Sequence, residues 1–146
     1  MIKKVLMGLG LGAVLAFGNV DTGTKLGECL VAHTTPQDKL LLVKWIVGSY
    51  AHHPALKGMV KVDEVAFHHT EEGVAHLFER LLTKDCKTQF EEAVKEKGPQ
   101  AVQEGFAYLG KMAGLEVSTN PVVQQTLQHF VGYLTPQFTQ KMVSLH

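Results

Sequence analysis

Three times in this chain a side chain suited to capping a helix stands directly before a proline: Thr35-Pro36, Asn120-Pro121 and Thr135-Pro136. The capping oxygen takes a bond from an otherwise unpaired N–H of the first turn, and proline, with no N–H of its own, loses nothing at the first helical position. Each pair marks a helix start. At Thr35 an acid three residues on, Asp38, strengthens the signal. Behind this start Leu40, Leu41, Val43, Trp45, Ile46, Val47 and Tyr50 cover most of a helical circumference as far as Ala51, with Lys39 and Lys44 on a narrow wet edge. That pattern predicts a central core helix with Trp45 inside. His52-His53-Pro54 ends it, because proline disfavours helical geometry in the residue before it. Behind the other two starts, Val123, Leu127, Phe130, Val131 and Leu134 form one apolar stripe and Phe138, Met142 and Leu145 another. Both predict short amphipathic helices.

Between these starts the same periodicity recurs. Asp63 or Thr70 opens a stretch whose Val74, Leu77, Phe78, Leu81 and Leu82 share one face, with Cys86 at or just beyond its end. From Thr88 to Lys97, Phe90, Ala93 and Val94 point inward and Glu91, Glu92, Lys95 and Glu96 outward, until Gly98-Pro99 breaks the run. Val102, Phe106, Leu109, Met112 and Ala113 line a further helix in which Gly105, Gly110 and Gly114 invite close approach, either within the chain or at a homodimer seam. Residues 19–25 read as a polar, glycine-containing lead-in. No run alternates with period two and no Asn-Gly or Asp-Gly turn occurs, so strands have no support. The expected fold is all-α, an irregular bundle of five to seven helices forming a single domain over residues 19–146.

The first residues carry a different message. Lys3 and Lys4 precede an uncharged apolar run from Val5 to Phe17 that closes on Ala16-Phe17-Gly18. A basic start, an apolar middle and a small-residue end make the layout of a secretory signal peptide over residues 1–18, cleaved after Gly18. A retained anchor is the rival, but Val5 to Gly18 is fourteen residues, short of the roughly 20 a spanning helix needs. Lipid attachment at Cys29 is disfavoured because Glu28 stands where a small residue is required. Export to the periplasm or beyond places Cys29 and Cys86 in an oxidising compartment, where two cysteines have one intramolecular pairing open to them. The long spacing is unlike the C-x-x-C of redox-active pairs, so a structural bridge is expected.

Charge excludes one class of partner. Acidic and basic residues number 14 each, the sole arginine is Arg80, and cleavage takes Lys3 and Lys4 away to leave a small acidic excess. A nucleic-acid binder would instead gather a basic excess on one face. Once the leader is removed, no membrane segment is expected either.

Eight histidines, six of them from His33 to His76, raise the question of metal. On a continuous helix His69, Glu72 and His76 stand three and four residues apart, two imidazoles and a carboxylate suited to zinc or copper. His68 offers a substitute for His69, and His52 or His53 an approach from the neighbouring loop. Against this, H-E-x-x-H is absent, Gly73 weakens the helix, and solvated histidines opposite Val74, Leu77 and Leu81 explain the pattern equally well. Histidine also titrates near neutrality, which opens a pH-sensing role. For catalysis only Ser49, Ser118 and Ser144 offer hydroxyl nucleophiles of the serine type, none within G-x-S-x-G or S-x-x-K, and the cysteines are expected to be oxidised. The acid pairs Asp63-Glu64 and Glu71-Glu72 read as first-turn acids favoured by the helix dipole. An enzyme is not expected.

Cys29-Leu30-Val31, Thr34-Thr35, Asp38, Trp45-Ile46 and His53-Pro54, followed by Leu81-Leu82 and Cys86, resemble a set of small, exported, functionally uncharacterised bacterial helical proteins. The resemblance implies an export signal and two cysteines in a helical domain, and brings no activity with it. Periplasmic immunity proteins that neutralise amidase toxins are similar in architecture alone, being small, helical and cysteine-bridged. The expected function is binding to a partner protein through a helix face or loop. Metal binding through His69, Glu72 and His76, and immunity-type inhibition of a toxin, are the alternatives.

Overall fold

Side-chain caps open the helices much as the sequence places them. The computed structural model describes residues 21–146, and the leader expected over residues 1–18 lies outside them. Thr35 and Asp38 form a reciprocal capping box at the start of α2 (Pro36–Ala51), Asp63 caps α3 (Glu64–Arg80), and Asn120 and Thr135 cap α6 (Pro121–Gln128) and α7 (Pro136–Leu145). The remaining helices are α1 (Thr22–Ala32), α4 (Lys87–Lys97) and α5 (Gln100–Val117). Seven α-helices and no strand occur among the described residues, which is the all-α class.

From Thr22 onward helix α1 stands where the sequence suggests a polar lead-in over residues 19–25, of which 19 and 20 lie outside the described residues. Asp21 caps it, accepting from Gly23 N–H at 2.8 Å. Gly23 and Gly27 lower helix propensity and so hide the element in the sequence. Packing explains both. A Cβ on Gly23 would run into Glu104, and one on Gly27 into the Tyr108 ring, so their absence lets α1 press against α5. That pair makes the most extensive helix contact in the fold. Gly105 completes the fit, since a Cβ there would stand 2.9 Å from Leu26 Cγ and 3.3 Å from Leu30 Cδ1. It therefore serves contact within the chain.

The core joins Leu26 and Leu30 of α1 to Leu42, Val74, Leu77, Leu81, Ala93, Ala101 and Leu109. Phe78 stacks on Phe106 at 3.8 Å and takes the edge of Trp45 at 5.9 Å. Helix α5 touches α1, α2 and α4, and so occupies the centre expected of α2. On α2, Leu42 is buried and Trp45 half-buried, while Leu40, Val47 and Tyr50 face solvent. Its all-round apolar character marks a surface that the bundle leaves partly open.

Cys29 and Cys86 form the expected disulfide, with a Cα–Cα distance of 5.9 Å. A π-helical turn over Leu81–Asp85 leads into Cys86, whose N–H reaches back five residues to Leu81 C=O at 2.8 Å. The wider turn breaks the α3 register and opens α4 in a new direction. Arg80 clamps this corner, donating to Asp85 at 3.0 Å, to His33 C=O at 3.0 Å and to Asp38 at 3.1 Å. Partial burial raises the Asp38 carboxyl, but the Thr35 N–H and Arg80 outweigh it and leave the pKa lowered. At the opposite end Lys97 lies 2.5 Å from Asp21 and 2.9 Å from Glu104, tying α4 to the start of α1 and to α5. The Lys97 bond, then the Gly23 N–H, hold the Asp21 pKa down to about 2.

Helices α6 and α7 stand apart. Both begin where the Asn-Pro and Thr-Pro pairs predict, but α6 ends at Gln128 and a 3-10 turn over His129–Tyr133 carries Phe130 and Val131 of the stripe expected to reach Leu134. Neither helix makes an extended contact with the other five. In residues 121–146 only Val123 and Leu134 are even half-buried.

Candidate functional site

Between α2 and α3 runs an open groove of about 370 Å³. Its walls are Val43, Val47, Gly48 and Ala51 of α2, Val60 and Val62 of the connecting segment, and Ala66 and Phe67 of α3, with Lys44, Lys61 and Asp63 at the rim. Gly48 sets the width. A Cβ at that position would lie 2.5 Å from Cδ1 and Cε1 of Phe67, so glycine lets this side of the ring close on α2. The groove thus follows from two features legible separately in the sequence: an over-apolar α2 and the break at His53-Pro54. Their convergence was not legible.

His52 locks one end of the groove. Its Nδ1–H donates to Gly48 C=O at 2.7 Å, and its Nε2–H faces both Glu64 carboxylate oxygens at 3.1 and 3.0 Å. The ring also lies 5.0 Å from Phe67. Carbonyl and carboxylate oxygens only accept, so both ring nitrogens must donate and the imidazolium is favoured. The Gly48 bond, followed by the Glu64 bond, raises the His52 pKa above its ordinary 6.5. Stability from this link is complete below that ordinary value and is lost as pH rises through the raised one. Glu64→Gln is accordingly expected to destabilise the protein most below pH 6.5, the difference from wild type shrinking at higher pH. Urea midpoints of the two proteins across the range check this; a pH-independent gap would contradict it.

The histidine cluster has a different disposition. His69, Glu72 and His76 all lie exposed on α3. Their donor atoms are not gathered within 4.8 Å of one another, a proximity that among the described residues only Cys29, His33 and Cys86 reach. That trio offers a metal little, because both sulfurs are bonded to each other and His33 Nδ1–H donates to Cys29 C=O at 2.9 Å. The i, i+4 spacing of Cys29 and His33 signals their closeness, but only once α1 is known to be a helix. His68 pairs with Glu71 at 2.9 Å instead of joining His69. Of the two acid pairs, Asp63-Glu64 does open a helix, whereas Glu71-Glu72 lies in the middle of α3, away from the positive end of its dipole.

Fold and groove together define a disulfide-bridged, all-α protein with an open apolar face. None of the described helices is long and apolar enough to cross a membrane. No protein family, curated protein or solved structure matches the chain.

Proposed function

We propose that this chain is an exported protein, periplasmic or secreted, that acts by binding an apolar segment of a partner protein and performs no catalysis of its own. The groove between α2 and α3 is the observation that carries this reading. Its walls are aliphatic and aromatic, its rim holds both signs of charge, and Val47 remains 54% exposed there. An apolar trough with a polar rim gains free energy by excluding water from an occupant and sets its orientation with the rim. The closed disulfide supports export, since such bridges persist in oxidising compartments. Inhibition of an exported toxin would be one form of this binding.

The test is capture by the mature protein from periplasmic extract, in wild-type form and with Val47→Glu. A charge on this exposed wall position leaves the core intact and makes the trough hostile to an apolar guest. The wild type is expected to retain a stoichiometric protein partner that Val47→Glu loses, while Met59→Glu outside the groove keeps it. Capture unaffected by Val47→Glu would remove the groove from the function. Purified protein carrying metal lost on His69→Ala or His76→Ala would favour the alternative site.

A further inference from the structure

We infer that α6, α7 and the turn between them form a dimerisation arm whose partner is the same arm of a second copy. Leu127 stands three and four residues before Phe130 and Val131, while Phe138, Met142 and Leu145 follow one another at four and three, and the exposures of the six run from 46% to 72%. At about 200 Å² for a fully exposed large side chain, these six residues leave about 700 Å² of apolar surface in water. Contiguous apolar patches on monomers rarely exceed a few hundred Å², and a stable interface needs about 800 Å² from each partner.

Helix length makes the same demand. At 8 and 10 residues, α6 and α7 fall below the roughly 12–15 at which isolated helices become even marginally stable in water. Both need packing on their apolar faces to persist, and the five-helix bundle supplies no extended contact to either.

Charge selects the occupant. Residues 121–146 contain no acid and a single lysine, Lys141, with glutamine and threonine filling the polar face. A helix that lies on a membrane surface carries a strongly basic polar face, and a charged macromolecule would require a complementary patch; this arm has neither. Two copies bring their stripes together with almost no like-charge repulsion. A two-fold axis pairs the same patch on each chain and closes the assembly at a dimer.

Sedimentation analysis of the mature, oxidised chain provides the test. Wild type is expected to be a dimer in the micromolar range, and Leu127→Glu/Phe138→Glu a monomer with an unchanged bundle by circular dichroism. Gln125→Glu/Gln140→Glu, which places the same two charges on the opposite face, is expected to remain dimeric. Arm amides should be protected from hydrogen exchange in the dimer and lose that protection on dilution. A monomeric wild type overturns the inference, as does a dimer that survives Leu127→Glu/Phe138→Glu. Arm protection independent of concentration would place the arm on its own bundle and also overturn it. The groove reading stands or falls separately, because Val47→Glu is expected to leave the dimer intact.

Discussion

Reducing the Cys29–Cys86 bridge is expected to lower the unfolding free energy by about 4 kcal/mol. The two cysteines lie 57 positions apart, and freeing them returns to the unfolded chain the entropy of a loop that spans α2 and α3. Little is lost from the folded side. Cys86 is fully buried against the core, where a thiol packs as a small apolar group. Arg80 continues to tie His33, Asp38 and Asp85 together around the same corner. The loss should therefore appear as destabilisation of an intact fold: unchanged helical circular dichroism in buffer, with a thermal midpoint about 15 °C lower. Urea melts of the oxidised and reduced protein measure the difference, and one below about 1 kcal/mol would show that the unfolded chain is compact without the bridge.

Leu26→Ala is expected to cost about 3–5 kcal/mol. Leu26 is completely buried and seats its branched end where Gly105 lacks a side chain. Truncation removes three carbons from the tightest helix pair and leaves a hole that the backbone, held by the disulfide and by Lys97 at either end, closes poorly. The fit also predicts a reversal of sign. Gly105→Ala in the wild type pushes a methyl to within 2.9 Å of Leu26 and destabilises; in the Leu26→Ala background the same methyl enters the hole and adds helix propensity of about 1 kcal/mol. A double-mutant cycle reads this coupling directly. Additivity of the two substitutions would show that the glycine does not act through Leu26.

Helix starts were the most legible part of this chain. Thr35, Asp63, Asn120 and Thr135 each cap through bonds formed within three residues, so sequence neighbours alone settle them. The disulfide was legible for a combinatorial reason, two cysteines having one way to pair. Helix α1 was not, because glycines that weaken a helix locally are the ones that let it press against Glu104 and Tyr108 from a distant part of the chain. For the candidate site, the apolar excess of α2 was visible, but its division between core and groove was not. In the sequence His52 is one histidine among several; its bonds to Gly48 and Glu64 single it out only after the chain turns at Pro54.

Sequence by itself determined the all-α class, most helix boundaries and the pairing of the sulfurs, since caps, periodicity and cysteine number act locally or admit one solution. Tertiary structure decided which apolar stripes are covered. Val74 and Leu77 on α3 are buried, whereas Leu127 and Phe138 on equally regular stripes face water. The periodicity of a stripe states that a helix has an apolar side; what lies against that side depends on contacts between residues far apart in the chain, and those exist only in the folded molecule.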